Sequence, residues 1–100
     1  MDADAFISTA ENFHKMFPGK EIWVTEWACQ NYGGASGQCS LSDIKAFLSK
    51  TQKYMNGQSW IGKYAWFGPL TQFPGGFNTL NRLITSGGAM TDLGWEYLSN

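Results

Sequence analysis

Glu26 is a carboxylate near the end of a short run, Lys20-Glu21-Ile22-Trp23-Val24-Thr25-Glu26-Trp27, in a chain with only 15% charged residues. The run is rich in β-branched and aromatic residues and reads as a strand. Alternation on a strand places Ile22, Val24 and Glu26 on one face and Trp23, Thr25 and Trp27 on the other. A carboxylate buried at a strand end costs free energy unless it is paired or used. The plain alternative is an acid that is salt-bridged or open to water. Trp23 and Trp27 flank Glu26, and Trp66 stands at the matching end of a second run, residues 61–67. Indole faces beside a carboxylate suit a sugar ring, whose C–H faces stack on aromatic surface while its hydroxyls reach polar groups. Glycosidic hydrolysis needs two carboxylates, ~5–5.5 Å apart for retention and ~6.5–9.5 Å for inversion. Glu21, on the same strand, is roughly 16 Å away at about 3.3 Å per residue. Asp43 is explained as a helix cap, and Glu11, Asp92 and Glu96 fall on helices. The sequence therefore displays half of a two-carboxylate site, with no evident acid/base partner.

Other patterns dissolve. Gly57-Gln58-Ser59-Trp60-Ile61-Gly62-Lys63 matches a phosphate loop as far as the lysine, but Tyr64 replaces the required Ser/Thr and a strand follows where a helix is needed. Gly34-Ala35-Ser36-Gly37-Gln38 lacks the last glycine of a nucleophile elbow. One histidine, His14, and two cysteines at this spacing form no zinc pattern, so neither a metal nor a cofactor is expected. His14 reads as a helix-surface or boundary residue. Cys29 and Cys39 bracket a polar stretch in the manner of a loop disulfide, which belongs to an oxidising compartment, or else they are two free thiols.

The elements that must position Glu26 follow from periodicity. Phe6, Ala10, Phe13 and Phe17, with Ile7 and Met16 alongside, predict a helix over residues 4–17, capped by Asp2 or Asp4 and stopped by Pro18-Gly19. A Gly-rich loop spans residues 31–38. Ser40 and Asp43 then form a capping-box pattern that opens a second helix. Its stripe is Ile44, Phe47, Leu48, Thr51 and Met55, with Lys45, Ser49, Gln52 and Lys53 outward, and Asn56-Gly57 ends it. A second strand over residues 61–67, apolar apart from Lys63, is broken by Gly68-Pro69. Residues 73–88 form an irregular stretch around Pro74-Gly75-Gly76, with a turn of helix at 78–84. Thr91 or Asp92 caps a last helix reaching Leu98, whose Trp95 and Tyr97 are expected to pack inward. This order gives an α/β chain with a strand–helix–strand unit, and two parallel strands leave bare edges. A (β/α)₈ barrel takes about 250 residues, so the 100 residues here correspond to its closing part, a partial domain over 1–100.

Composition narrows the partners. With 7 basic against 8 acidic residues the chain lacks the basic footprint of a nucleic-acid binder. No apolar run reaches the ~18 residues of a membrane span. Met1, Asp2 and Asp4 open the chain without a basic or apolar leader, so no signal peptide is expected within it. The aromatic content, 16%, means either a very heavy core or flat platforms for a ligand. Oligomeric state is not legible.

The blocks EIWVTEWAC, SLSDIKAFL, KYAWFGPL and TDLGWEYL, with the Cys-bracketed loop between them, resemble the C-terminal part of the alkali-sensitive-linkage-type glycosyl hydrolase catalytic domain, glycoside hydrolase family 128. The resemblance implies a TIM barrel acting on β-1,3-glucan. It implies Glu26 as the nucleophile at the end of the seventh strand and Trp66, ending the eighth, as a sugar-facing aromatic; Tyr64 is a second candidate, beside Trp27. The family's acid/base glutamate lies on the fourth strand, which no position here matches. The expected function is a retaining β-1,3-glucan hydrolase, secreted or in the cell wall, with polysaccharide as its partner. The alternatives are a non-catalytic glucan-binding protein or an inactive truncated product.

Overall fold

The chain forms α1 (Ala3–Met16), β1 (Ile22–Trp27), α2 (Leu41–Asn56), β2 (Ile61–Trp66), a 3₁₀ turn (Thr79–Asn81) and α3 (Asp92–Ser99). This computed structural model describes residues 3–30, 38–69 and 77–99; the cap expected at Asp2, the body of the loop over 31–37 and the Pro74-Gly75-Gly76 segment lie outside them. Local chemistry sets the boundaries. Gly19, at φ +78°, takes the left-handed conformation that turns the chain from α1 toward β1. At α2 the capping box forms: the Asp43 N–H donates to Ser40 Oγ (3.2 Å) and the Ser40 N–H to Asp43 Oδ2 (3.3 Å). At α3, Thr91 Oγ1 accepts the Gly94 N–H at 3.1 Å, so Thr91 is its cap.

β1 and β2 pair in parallel, with α2 as the crossover between them. The register is irregular at two places. Ile22 faces Ile61 and Trp23 faces Lys63, which leaves Gly62 as an extra residue on β2. Val24 then faces Tyr64 while Trp27 faces Trp66, so β1 carries one extra residue between them. This second bulge overturns the expected faces. Trp27 is buried on the side of half-buried Ile22 and Val24, while Trp23, Thr25 and Glu26 are exposed. Strict alternation fails because one extra residue inverts every later side chain.

The core lies between the sheet and α2. Ile44, Phe47, Leu48 and Met55 pack with Trp27, Ile61, Trp66, Leu83 and Leu93. Thr51 completes the stripe by accepting the Trp27 indole N–H (2.8 Å) and donating to the Phe47 carbonyl (2.7 Å). Gln52, expected outward, is buried: its amide nitrogen donates to the Tyr97 carbonyl (2.8 Å) and the Tyr64 hydroxyl (3.3 Å). The reason is α3, which docks on that flank of α2. Trp95, expected to pack, is instead 60% exposed. Helix α1 buries no residue fully; Phe6 meets Phe47 edge-on at 6.0 Å, and His14 stacks on Trp60 at 4.3 Å. Lys45, expected outward, pairs with Asp92, and Lys50 pairs with Asp4. None of the helices among the described residues is long and apolar enough to cross a membrane.

Candidate active site

The C-terminal ends of the two strands are fastened by hydrogen bonds and a disulfide. The Phe67 N–H donates to the Trp27 carbonyl (2.9 Å), closing the ladder. Cys29 and Cys39 form a disulfide that ties the chain beyond β1 to the residue before the α2 cap. The turn at 78–81 adds hydrogen bonds to both cysteine backbones: Asn81 to Cys29, and the Asn78 side chain to the Cys39 carbonyl (3.0 Å). The Asn78 N–H also donates to Gln30 Oε1 (2.6 Å). Gly68 is required here, since a Cβ on it would approach the Asn81 carbonyl at 2.5 Å and the Trp66 ring at 2.7 Å.

Glu26 sits within the β1 bulge, beside this anchored end, and its side chain is exposed. It lines an apolar groove of about 280 Å³ between α1 and β1. Phe6, Phe13, Trp23, Val24 and Trp60 supply the apolar walls, and Glu26 is the one acid lining it among the described residues. Trp23 is 54% exposed, with the Lys63 ammonium 4.7 Å from its ring centroid.

The expected aromatic partners lie elsewhere. Trp66 is 2% and Trp27 4% exposed, and their rings meet edge-to-face at 4.7 Å in the core. The Trp66 indole N–H donates to the Asn81 carbonyl at 2.9 Å. Tyr64 is half-buried, its hydroxyl donating to Asn56 Oδ1 at 2.6 Å. All three rings belong to the layer between the sheet and the helices, because the bulges turn them that way. The exposed indole beside Glu26 is Trp23, legible as a flanking aromatic but placed by alternation on the opposite face. Asn81 was not singled out by any spacing, since an asparagine in an irregular stretch carries no periodic signal.

Four of the other described carboxylates have contacts of their own. Asp4 pairs with Lys50, Glu11 accepts the Tyr54 hydroxyl, Asp43 caps α2, and Asp92 pairs with Lys45. The Glu21 side chain lies against Gly62, where no Cβ could fit. Glu96 is held above the usual carboxylate range by burial, opposed by the charges of Lys45 and Lys53. Among the described residues no group of three His, Cys, Asp or Glu could hold a metal ion.

Comparison with known proteins agrees with this architecture. The family model described as glycosyl hydrolase catalytic core matches residues 1–97. The alkali-sensitive linkage protein 1 of Schizosaccharomyces pombe is 33% identical over 81 residues, which are 81% of this chain and 15% of that protein. A family 128 (subgroup VI) exo-β-1,3-glucanase from Aureobasidium namibiae superposes with a TM-score of 0.84 at 29% identity, over 99% of this chain and 38% of its own. A subgroup V exo-β-1,3-glucanase from Cryptococcus neoformans gives 0.86 at 28% identity, over 97% and 39%. The chain thus spans well under half the length of these relatives. Matched over nearly all its residues, it belongs to the glycosyl hydrolase catalytic core family, as a family 128 β-1,3-glucanase-like segment.

Proposed function

We propose that this chain supplies the nucleophile-bearing part of a retaining β-1,3-glucan hydrolase, as the closing strands and helices of a (β/α)₈ barrel. The observation that carries the reading is Glu26: an exposed carboxylate in a bulge at the C-terminal end of a parallel strand, beside an exposed indole. That end of the strands is where barrels of this class do chemistry. Among the described residues β1 pairs with β2 alone, and its other edge, with the apolar groove along it, supports the barrel reading, since an unpaired edge is ordinarily covered.

In the first step a Glu26 carboxylate oxygen attacks the anomeric carbon and forms a glycosyl ester. The glycosidic C–O bond breaks, and a second carboxylic acid gives its proton to the leaving oxygen. In the second step that carboxylate takes a proton from water, whose oxygen displaces Glu26 and restores it. The acid is assigned to a part of the barrel that this segment does not match. Trp23 offers the sugar its C–H-stacking face. Trp27, Trp66 and Tyr64 hold the strand ends from beneath, in place of the direct sugar contact expected of them. The disulfide supports a secreted or cell-wall setting, since such bridges persist in oxidising compartments.

The test is Glu26→Gln in the intact protein, assayed on laminarin. Turnover should fall on the order of 10³-fold or more with the fold retained; turnover within tenfold of the parent would sink the assignment. A second reading, a glucan-binding module without hydrolysis, is favoured by Glu26 being the single acid lining the groove among the described residues. Laminarin binding without release of reducing ends, by the intact protein, would select it.

A further inference from the structure

Asn81 is a fully buried polar side chain, 0% exposed, on a turn far in sequence from β1. Its amide oxygen accepts the Cys29 N–H at 3.0 Å and its amide nitrogen donates to the Cys29 carbonyl at 3.0 Å. One side chain thus gives Cys29 both partners that a neighbouring strand would give it. A primary amide can do this because it carries a donor and an acceptor on one fork. The same nitrogen donates to the Asn78 carbonyl (3.0 Å), and the Asn81 backbone carbonyl holds the Trp66 indole. A single residue therefore fastens the chain leaving β1 to the last residue of β2.

The position of this clamp matters for Glu26. A bulge carries an unpaired residue, so its conformation is only as defined as the pairs on either side. On one side of the Glu26 bulge is the Val24–Tyr64 pair; on the other are the Trp27–Trp66 pair and then the Asn81 clamp on Cys29. We infer that Asn81 is a positioning residue for the Glu26 carboxylate, holding the β1 exit so that the bulge presents the acid at a fixed point. The inference rests on the proposed role of Glu26 as nucleophile. A displacement of about 1 Å at a reacting group costs on the order of 10²-fold in rate, so the clamp acts on kcat more than on binding.

Asn81→Asp in the intact protein tests this on laminarin. Once ionised, at a pH that burial shifts upward, the carboxylate keeps an acceptor for the Cys29 N–H but meets the Cys29 and Asn78 carbonyl oxygens with no donor. The expected result is a fall in kcat of roughly 10- to 100-fold with KM changed less than about threefold. Relative to the parent at the same pH, the deficit should shrink on acidification, when the protonated carboxyl regains a donor. Asn81→Leu should show the loss without the recovery. A deficit confined to KM, one in Asn81→Asp that does not respond to pH, or kcat within twofold of the parent in Asn81→Leu overturns the inference. Hydrogen exchange at the Cys29 amide reads the clamp without any assay of turnover: it should quicken at least about tenfold in Asn81→Leu while the α2 core amides stay protected, and unchanged exchange also overturns the inference. If Asn81→Leu does not fold, the pH-dependent kcat deficit of Asn81→Asp carries the test, and absence of that deficit at every pH overturns the inference. Retained turnover in Glu26→Gln would instead remove the nucleophile assignment, leaving the exchange result to stand on its own.

Discussion

Helices α1 and α2 are similar in length, 14 and 16 residues, and both carry an aromatic and aliphatic stripe at helical spacing. Their fates differ. Helix α2 buries Ile44, Phe47, Leu48, Thr51, Gln52 and Met55, whereas α1 buries none and leaves Phe13 51% and Met16 67% exposed. Amphipathicity does not separate them. Helix α2 lies across both strands, with α3 on its flank; α1 faces the edge of β1 that pairs with no strand among the described residues. A hydrophobic stripe states which side of a helix wants cover, and the rest of the fold decides whether cover is there. The stability of these 100 residues should accordingly be concentrated on α2.

The largest effect should come from Leu48→Ala. The side chain is fully buried and packed on every side, so its loss removes transfer free energy and leaves a cavity, about 2–5 kcal/mol by chemical denaturation. Phe13→Ala deletes a larger side chain, yet should cost less than about 1 kcal/mol because half its surface already meets water. Equal costs would break the contrast and show that the groove is filled in solution. Next in size is the Cys29–Cys39 pair, which closes a loop with a sequence separation of 10. Chain entropy credits such a loop with about 2.7 kcal/mol. The Asn81 and Asn78 hydrogen bonds hold the same backbone without the bridge, so the double substitution to serine should lower the unfolding free energy by up to about 2.7 kcal/mol with the native near-ultraviolet spectrum retained. Collapse of that spectrum would show that the bridge, not the amides, organises the strand ends.

The sequence made the elements legible where local chemistry is decisive. Ser40 with Asp43, Pro18-Gly19, and the Ile44 to Met55 stripe each act within a few residues, and each boundary fell close to its signal. The faces of β1 were not legible, because a bulge is a property of the pairing with β2 and leaves no mark on the alternation of residues 22–27. That one feature moved Trp27 into the core and set Trp23 and Glu26 on the open side. Gln52 was misread for a related reason: its two partners, Tyr64 and the Tyr97 carbonyl, come from β2 and α3. Asn81 is the extreme case, with partners 52 residues away in the chain. Glu26 was legible because a lone acid in an apolar strand stands out whichever way it faces.

A smaller effect tests the well-packed helix through its cap. Ser40→Ala removes the acceptor for the Asp43 N–H and frees one half of the reciprocal pair, at a cost of about 1 kcal/mol. Because α2 carries the core, that cost should appear in the global unfolding transition and not as local fraying. Exchange confined to the first turn of α2, with the midpoint unmoved, would contradict the claim that this helix unfolds with the whole.

The smallest effect probes where α1 touches α2 through a polar contact. The Tyr54 hydroxyl, on α2, donates to Glu11 Oε1, on α1, at 3.0 Å. Its pKa is raised from 10.0 to about 12, by burial first and then by the hydrogen bond and negative charge of Glu11. The unfolded chain ionises this phenol at its ordinary value, so between 10.0 and about 12 the folded state binds more protons than the unfolded. The stabilisation is therefore fully present below pH 10.0 and is lost as pH rises toward about 12. Absorbance titration of the phenolates should show one tyrosine ionising late, and Glu11→Gln should bring it earlier. Amide exchange over the same range should quicken in α1 before α2, since α1 buries no residue fully. If both helices loosen together, or Tyr54 titrates identically in Glu11→Gln, then α1 is held by its apolar face after all, and the difference between the two helices is smaller than their burial implies.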